Sequence, residues 1–218
     1  MTRPDDARES SASWLRWAAR GVQVLTALLV GYALVRGQYT TALNGVVALA
    51  VTFVPAVLEW RYDHRVDPRL ALWIAVAAVV HLGGFLWGYG HSTGLLAWYD
   101  QIAHVISASL VAGVGYALVQ ALDRTSAGIR FPEVFRFVFT LYFVLAFGVA
   151  WEIIEFSAGQ LGRMAGAGET LVQYGIEDIV SDLTFNTLAG AVVAVWGTEY
   201  FRGITALLSR RLRGTEDN

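Results

Sequence analysis

Cysteine and lysine are both absent from the 218 residues, and charge of any kind is scarce at 16%. Without cysteine there is no disulfide framework, no thiolate nucleophile and no cysteine-ligated zinc site. All 16 basic residues are arginine against 18 acids, a net charge of −2 that gives no basic face for offsetting nucleic-acid phosphates, so a nucleic-acid partner is excluded. A soluble domain is about 25% charged. The shortfall here is concentrated, because the charges lie mainly between long apolar runs. With 56% apolar residues and a mean hydropathy of +0.49, the chain reads as an integral membrane protein.

A hydrocarbon layer about 30 Å thick needs about 20 apolar helical residues to cross it. Six stretches qualify: Trp14 to Val35, Thr41 to Trp60, Leu70 to Trp87, Tyr99 to Leu122, Val134 to Phe156 and Ile176 to Trp196. The expected fold is therefore all-α, a polytopic bundle of six transmembrane helices over residues 14–200. A cytoplasmic N-terminal segment (1–13) and a cytoplasmic C-terminal tail (201–218) flank it. The first span has no small-residue cleavage site behind a short apolar core and reads as a retained signal anchor. Arginine fixes the orientation, because the cytoplasmic side keeps the positive excess. Fourteen arginines fall on the side of the termini and two, Arg36 and Arg163, on the other, placing both ends in the cytoplasm of a cell with this protein in its plasma membrane. The eight tryptophans lie near span ends, where aromatic rings favour the interface.

Ionisable side chains inside spans are costly and face a bundle interior or cavity. The third span holds His81. The fourth holds Asp100 and His104, four apart on one helical face; the fifth holds Glu152 and Glu155, three apart on one face. The sixth carries Asp178, Asp182, Asn186, Gly190 and Ala194, a stripe at intervals of four whose small end admits a close neighbour. With the orientation above, His81, His104, Glu152, Glu155, Asp178 and Asp182 all lie in the outer half of the membrane, with His81, His104 and Asp182 about 9 to 10 Å below the outer ends of their spans at about 1.5 Å per residue. Asp100 and Asp178 also suit helix N-termini, where an acid meets free N–H groups and the positive dipole end. His81 and Asn186 also suit interhelical hydrogen bonding, and Glu155 also suits snorkelling to the interface. Glu152, near the negative end of its helix, and Asp182, beyond capping reach, have no such explanation.

Five carboxylates converging without a basic residue repel one another unless protons or cations neutralise them. His with Asp and Glu is a ligand set for zinc, manganese or iron, and the paired spacings resemble carboxylate metal sites of helical bundles. The candidate ligands of one or two divalent ions are Asp100, His104, Glu152, Glu155, Asp178 and Asp182, with Glu152 and Asp182 as candidate catalytic groups and His81 and Asn186 supporting them.

Tyr99-Asp100-x-x-x-His104, Trp151-Glu152-x-x-Glu155 and Asp178-x-x-x-Asp182-x-x-x-Asn186-Thr187-x-x-Gly190, with His81-Leu82-Gly83-Gly84, resemble the YjdF-like family of integral membrane proteins. The same order of Asp, His, Glu, Asp, Asn and Gly more remotely resembles the VanZ-like proteins, a family associated with glycopeptide resistance. Those proteins tend to have Asp-Lys before the His and Gln after the Glu, where this chain has Asp100-Gln101 and Glu155. Neither resemblance implies a reaction. The residues favour a divalent-metal-dependent membrane hydrolase or transferase acting on lipid or lipid-linked substrates, with the Gly-rich stretch Ser157 to Gly175 as a lid. The alternatives are an ion- or proton-coupled transporter or channel, and a non-catalytic structural membrane protein.

Overall fold

The computed structural model describes residues 4–63, 65–88, 98–126, 130–164, 175–196 and 201–216, and these are helical apart from short connections. Six helical stretches are long and apolar enough to cross a membrane: Ser13–Val35, Tyr39–Tyr62, Pro68–Trp87, Tyr99–Thr125, Glu133–Met164 and Ile176–Trp196. The chain forms two compact units divided after His91, and three of these spans fall in each.

The first unit contains α1 (Pro4–Val35), α2 (Tyr39–Thr52), α3 (Val54–Tyr62) and α4 (Pro68–Gly83), the last running into a π-helical turn at Gly84–Gly88. α1, α2 and α4 pack on one another. Gly45 of α2 makes this possible, since a Cβ there would stand 2.6 Å from Val30 and 3.1 Å from Leu82. The second span, expected as one helix, is broken at Phe53 between α2 and α3. Pro55 is the cause: it has no N–H to donate, and its ring presses on the carbonyl four residues back. α4 starts where Asp67 Oδ1 accepts the Arg69 N–H at 2.8 Å and Pro68 supplies a preset helical φ.

The second unit contains α5 (Tyr99–Thr125), α6 (Glu133–Met164), α7 (Ile176–Trp196) and α8 (Arg202–Glu216). α5 is its centre, packed against the other three, and α6 also packs on α7. The central helix is lined with small residues, including the buried Ala103, Ala108, Ala112, Ala117 and Ala121. Phe143 of α6 fills the notch at Gly115, and Phe201, 1% exposed, fills the notch at Gly113. Phe143 is one rung of a stacked ladder of Phe131, Phe135, Phe139, Phe143 and Phe147 along α6, with ring centroids 4.8 to 6.3 Å apart. At the α5–α6 connection Asp123 accepts the Phe131 N–H at 2.7 Å and pairs with Arg136 at 3.3 Å.

Small residues lie inside and large apolar ones outside, the reverse of a water-soluble core. The buried apolar set is dominated by alanine, while Leu28, Val47, Tyr142, Ile153 and every tryptophan except Trp73 are exposed. Lipid tails are as apolar as leucine, so burying leucine gains little in a bilayer and close backbone approach gains more. The chain is a multi-pass membrane protein.

Two boundaries differ from the sequence reading. α6 continues two turns beyond Phe156 to Met164, because Gly159 and Gly162 are buried packing positions and an isolated glycine costs an established helix only about 1 kcal/mol. The lid expected over Ser157 to Gly175 is thus helical in its first part, while residues 165–174 lie outside the described residues. Most of the expected C-terminal tail is α8, with Thr205 and Ser209 buried and Arg210 and Arg213 exposed.

Candidate metal centre

The site lies in the second unit, at the end where α5 and α7 begin and α6 passes its midpoint. Asp100 stands in the first turn of α5, facing its positive dipole end, and His104 follows one turn later on the same face. Asp182 comes from the second turn of α7. His104 Nε2 is 3.8 Å from Asp100 Oδ1 and 3.5 Å from Asp182 Oδ2, and one ligand atom from each of the three lies within 4.8 Å of the others. These separations exceed a strong hydrogen bond. The shorter of the two, from His104 to Asp182, is close to the about 3.4 Å that separates ligands about 2.1 Å from a tetrahedral ion. His104 is 7% exposed and Asp182 1%, whereas Asp100 is half-buried.

Asp182 Oδ1 has no hydrogen-bond partner among the described residues. Its carboxylate feels Asp100, Asp178, Glu152 and Glu155, all acids. Glu152 is buried on α6 and acts on His104 as well, while Glu155 and Asp178 are half-buried. These three stand outside the 4.8 Å group. Asn186 is buried one turn along α7 from Asp182 and hydrogen-bonds with His104. His81 belongs to the first unit, half-buried near the C-terminal end of α4. The Asp100, His104 and Asp182 group could hold a metal ion.

Glycines set the approach of the helices that carry these groups. A Cβ on Gly148 of α6 would stand 3.0 Å from both Asn186 Nδ2 and Leu183, and one on Gly190 of α7 would stand 2.7 Å from Val144. Gly190 belongs to the stripe read from the sequence, and Gly148 does not. Its sign was available: Thr140, Val144, Gly148 and Glu152 recur at intervals of four and are all buried, forming the α6 counterpart of the α7 stripe. Sequence reasoning also missed the bond from Gln101 Nε2 to Ser181 Oγ at 3.3 Å, which ties α5 to α7 beside Asp100 and Asp182. Trp98 adds an edge-on contact with Phe185, centroids 6.4 Å apart.

A family model described as predicted membrane protein, DUF2238, matches residues 18–203. The chain belongs to this family. The DUF2238 match takes in every residue of the candidate centre, including both glycines that hold α6 against α7, and ends as α8 begins. No curated protein and no solved structure matches the chain.

Proposed function

We propose that this DUF2238 protein is a metal-dependent membrane enzyme, a hydrolase or transferase acting on lipid or lipid-linked molecules. The observation that carries the reading is the spacing of Asp100, His104 and Asp182 around a common centre inside a membrane-spanning unit. One imidazole nitrogen and two carboxylates are a donor set that zinc, manganese and iron(II) accept. Three protein ligands leave coordination positions for water and substrate, so the ion activates water or polarises an ester or phosphoryl oxygen. Glu152, buried nearby and outside the tight group, is the candidate general base. Asn186 orients His104 and so fixes which ring nitrogen is offered to the ion.

Lipid is the natural substrate class for a centre enclosed by spans whose outer faces are apolar, because such a molecule reaches it sideways. The arginine distribution orients this centre toward the outer leaflet of the plasma membrane with both termini cytoplasmic. The YjdF-like resemblance is compatible with the DUF2238 assignment, and the VanZ-like resemblance rests on Asp100, His104, Glu152, Asp182 and Asn186 alone.

Elemental analysis of detergent-purified protein prepared without chelator tests the reading. Bound zinc, manganese or iron is expected, with loss in His104→Ala and Asp182→Asn. Metal-free wild-type protein that drives chelator-insensitive proton flux in liposomes would replace the enzyme with a proton-coupled transporter.

A further inference from the structure

The first unit carries a charged feature that the metal centre does not use. Ser13–Val35, the apolar span of α1, contains two arginines, Arg16 and Arg20, and no acid. The two stand one turn apart on one helical face. With Ser13 and Trp17 of the same face they line a cleft of about 260 Å³, and all four side chains are exposed. Helical side chains lean toward the N-terminus. Arg20 does so here, its guanidinium lying 5.3 Å from the centroid of the Trp17 ring, three residues earlier. The Arg20 backbone is about 10 Å into the span from Ser13, at about 1.5 Å per residue. The lean therefore carries its charge back toward the headgroup level, where a tryptophan ring also favours lying. Beyond the cleft the same face continues through the exposed, apolar Val24, Leu28 and Val35.

We propose that this cleft binds the phosphate of an anionic phospholipid at the membrane surface where α1 enters. Two guanidinium groups one turn apart repel each other and gain from a shared anion, and a phosphodiester offers oxygens to both. Ser13 adds a hydroxyl donor and Trp17 an indole N–H for the same headgroup. The apolar continuation of the face selects a lipid over a free ion, because a headgroup seated in the cleft lays an acyl chain along Val24 and Leu28. Charge selects an anionic lipid over a zwitterionic one. The ammonium of a choline or ethanolamine headgroup meets the same two arginines that its phosphate seeks.

Native mass spectrometry of the full chain, purified in detergent and titrated separately with phosphatidylglycerol and phosphatidylcholine, tests the site. An arginine beside anionic lipid contributes about fivefold to binding, so the pair is expected to favour phosphatidylglycerol by about 25-fold. That preference should fall by the same factor in Arg16→Gln/Arg20→Gln and largely survive in Arg16→Lys/Arg20→Lys. A second measurement leaves both arginines in place. Gly21, where an added Cβ meets nothing within 4 Å, takes a cysteine, the sole thiol in that variant, bearing a photoreactive group. In vesicles of equal parts of the two lipids it should label phosphatidylglycerol in preference. Equal affinity of the wild type for both lipids, an undiminished preference in the glutamine pair, or unselective labelling from position 21 overturns the proposal. Displacement of the lipid by inorganic phosphate at matching concentration also overturns it, reducing the cleft to a site for a free ion.

Discussion

Replacing Gly113 with alanine is expected to release α8 from the second unit. The new Cβ would lie 1.9, 2.0 and 2.5 Å from three atoms of the Phe201 ring. Carbon atoms in contact stand about 3.5 to 4.0 Å apart, so the ring must retreat by about 1.5 Å. Phe201 is 1% exposed, so its ring is enclosed by protein on nearly every side. In a bilayer the transfer of an aromatic ring from protein to lipid carries little hydrophobic penalty, which leaves the overpacking cost of about 1 to 3 kcal/mol as the controlling quantity. Taking about 2 kcal/mol at about 1.4 kcal/mol per tenfold, the equilibrium between docked and released α8 shifts about 30-fold. Trypsin reports that shift, because cleavage after the exposed Arg210 and Arg213 requires the helix to open, and the rate follows the open population when reclosing is fast. Gly113→Ala should be cut about 30-fold faster, and adding Phe201→Ala should remove most of the difference between alanine and glycine at position 113. Wild-type cleavage in Gly113→Ala would show that the notch does not hold α8.

Three further outcomes follow from the geometry. Acidification should release metal, because a ligand imidazole must be neutral and ligand carboxylates ionised; metal content that does not change with pH, measured by elemental analysis after dialysis, would refute the His104 and carboxylate ligand set. Gly148→Ala should weaken metal affinity about 10-fold through Asn186, as loss of an outer partner of a ligand histidine does, whereas Gly190→Ala should destabilise the unit by about 1 to 3 kcal/mol against Val144 with metal content unchanged. Affinity titration and thermal unfolding in detergent separate the two. Ser126→Cys, the only thiol in that variant, should react with an impermeant reagent only from the cytoplasmic side.

Hydropathy located all six spans because the bilayer imposes one length on every crossing segment. It was blind to features set by contacts. Gly159 and Gly162 look like helix breakers in sequence but serve as packing surfaces, so α6 ran past its expected end. α8 escaped because Arg210, Arg211 and Arg213 interrupt its apolar residues, and its place depends on a glycine some 90 positions earlier. The break at Phe53 was legible in Pro55 but was overridden by a continuous apolar run. In the centre, Asp100, His104 and Asp182 could be picked out because membranes make charged residues conspicuous. Gln101 and Ser181 could not, since a glutamine and a serine near span ends attract no notice until their partners are seen.

The clamp at Asp123 bears on the order in which the protein is made. By holding the Phe131 N–H and Arg136 together, it closes α5 and α6 into a hairpin using only residues up to 136 and the helix that follows. That hairpin already carries Asp100, His104, Glu152 and Glu155, but Asp182 arrives on α7, later in synthesis. During elongation the nascent hairpin therefore holds four of the centre's ionisable groups with Asp182 still in the ribosome. On the metal reading proposed above, loading must wait for α7 to leave the insertion machinery, and a chain truncated before α7 should reach the membrane with its hairpin formed but without Asp182 to complete the centre.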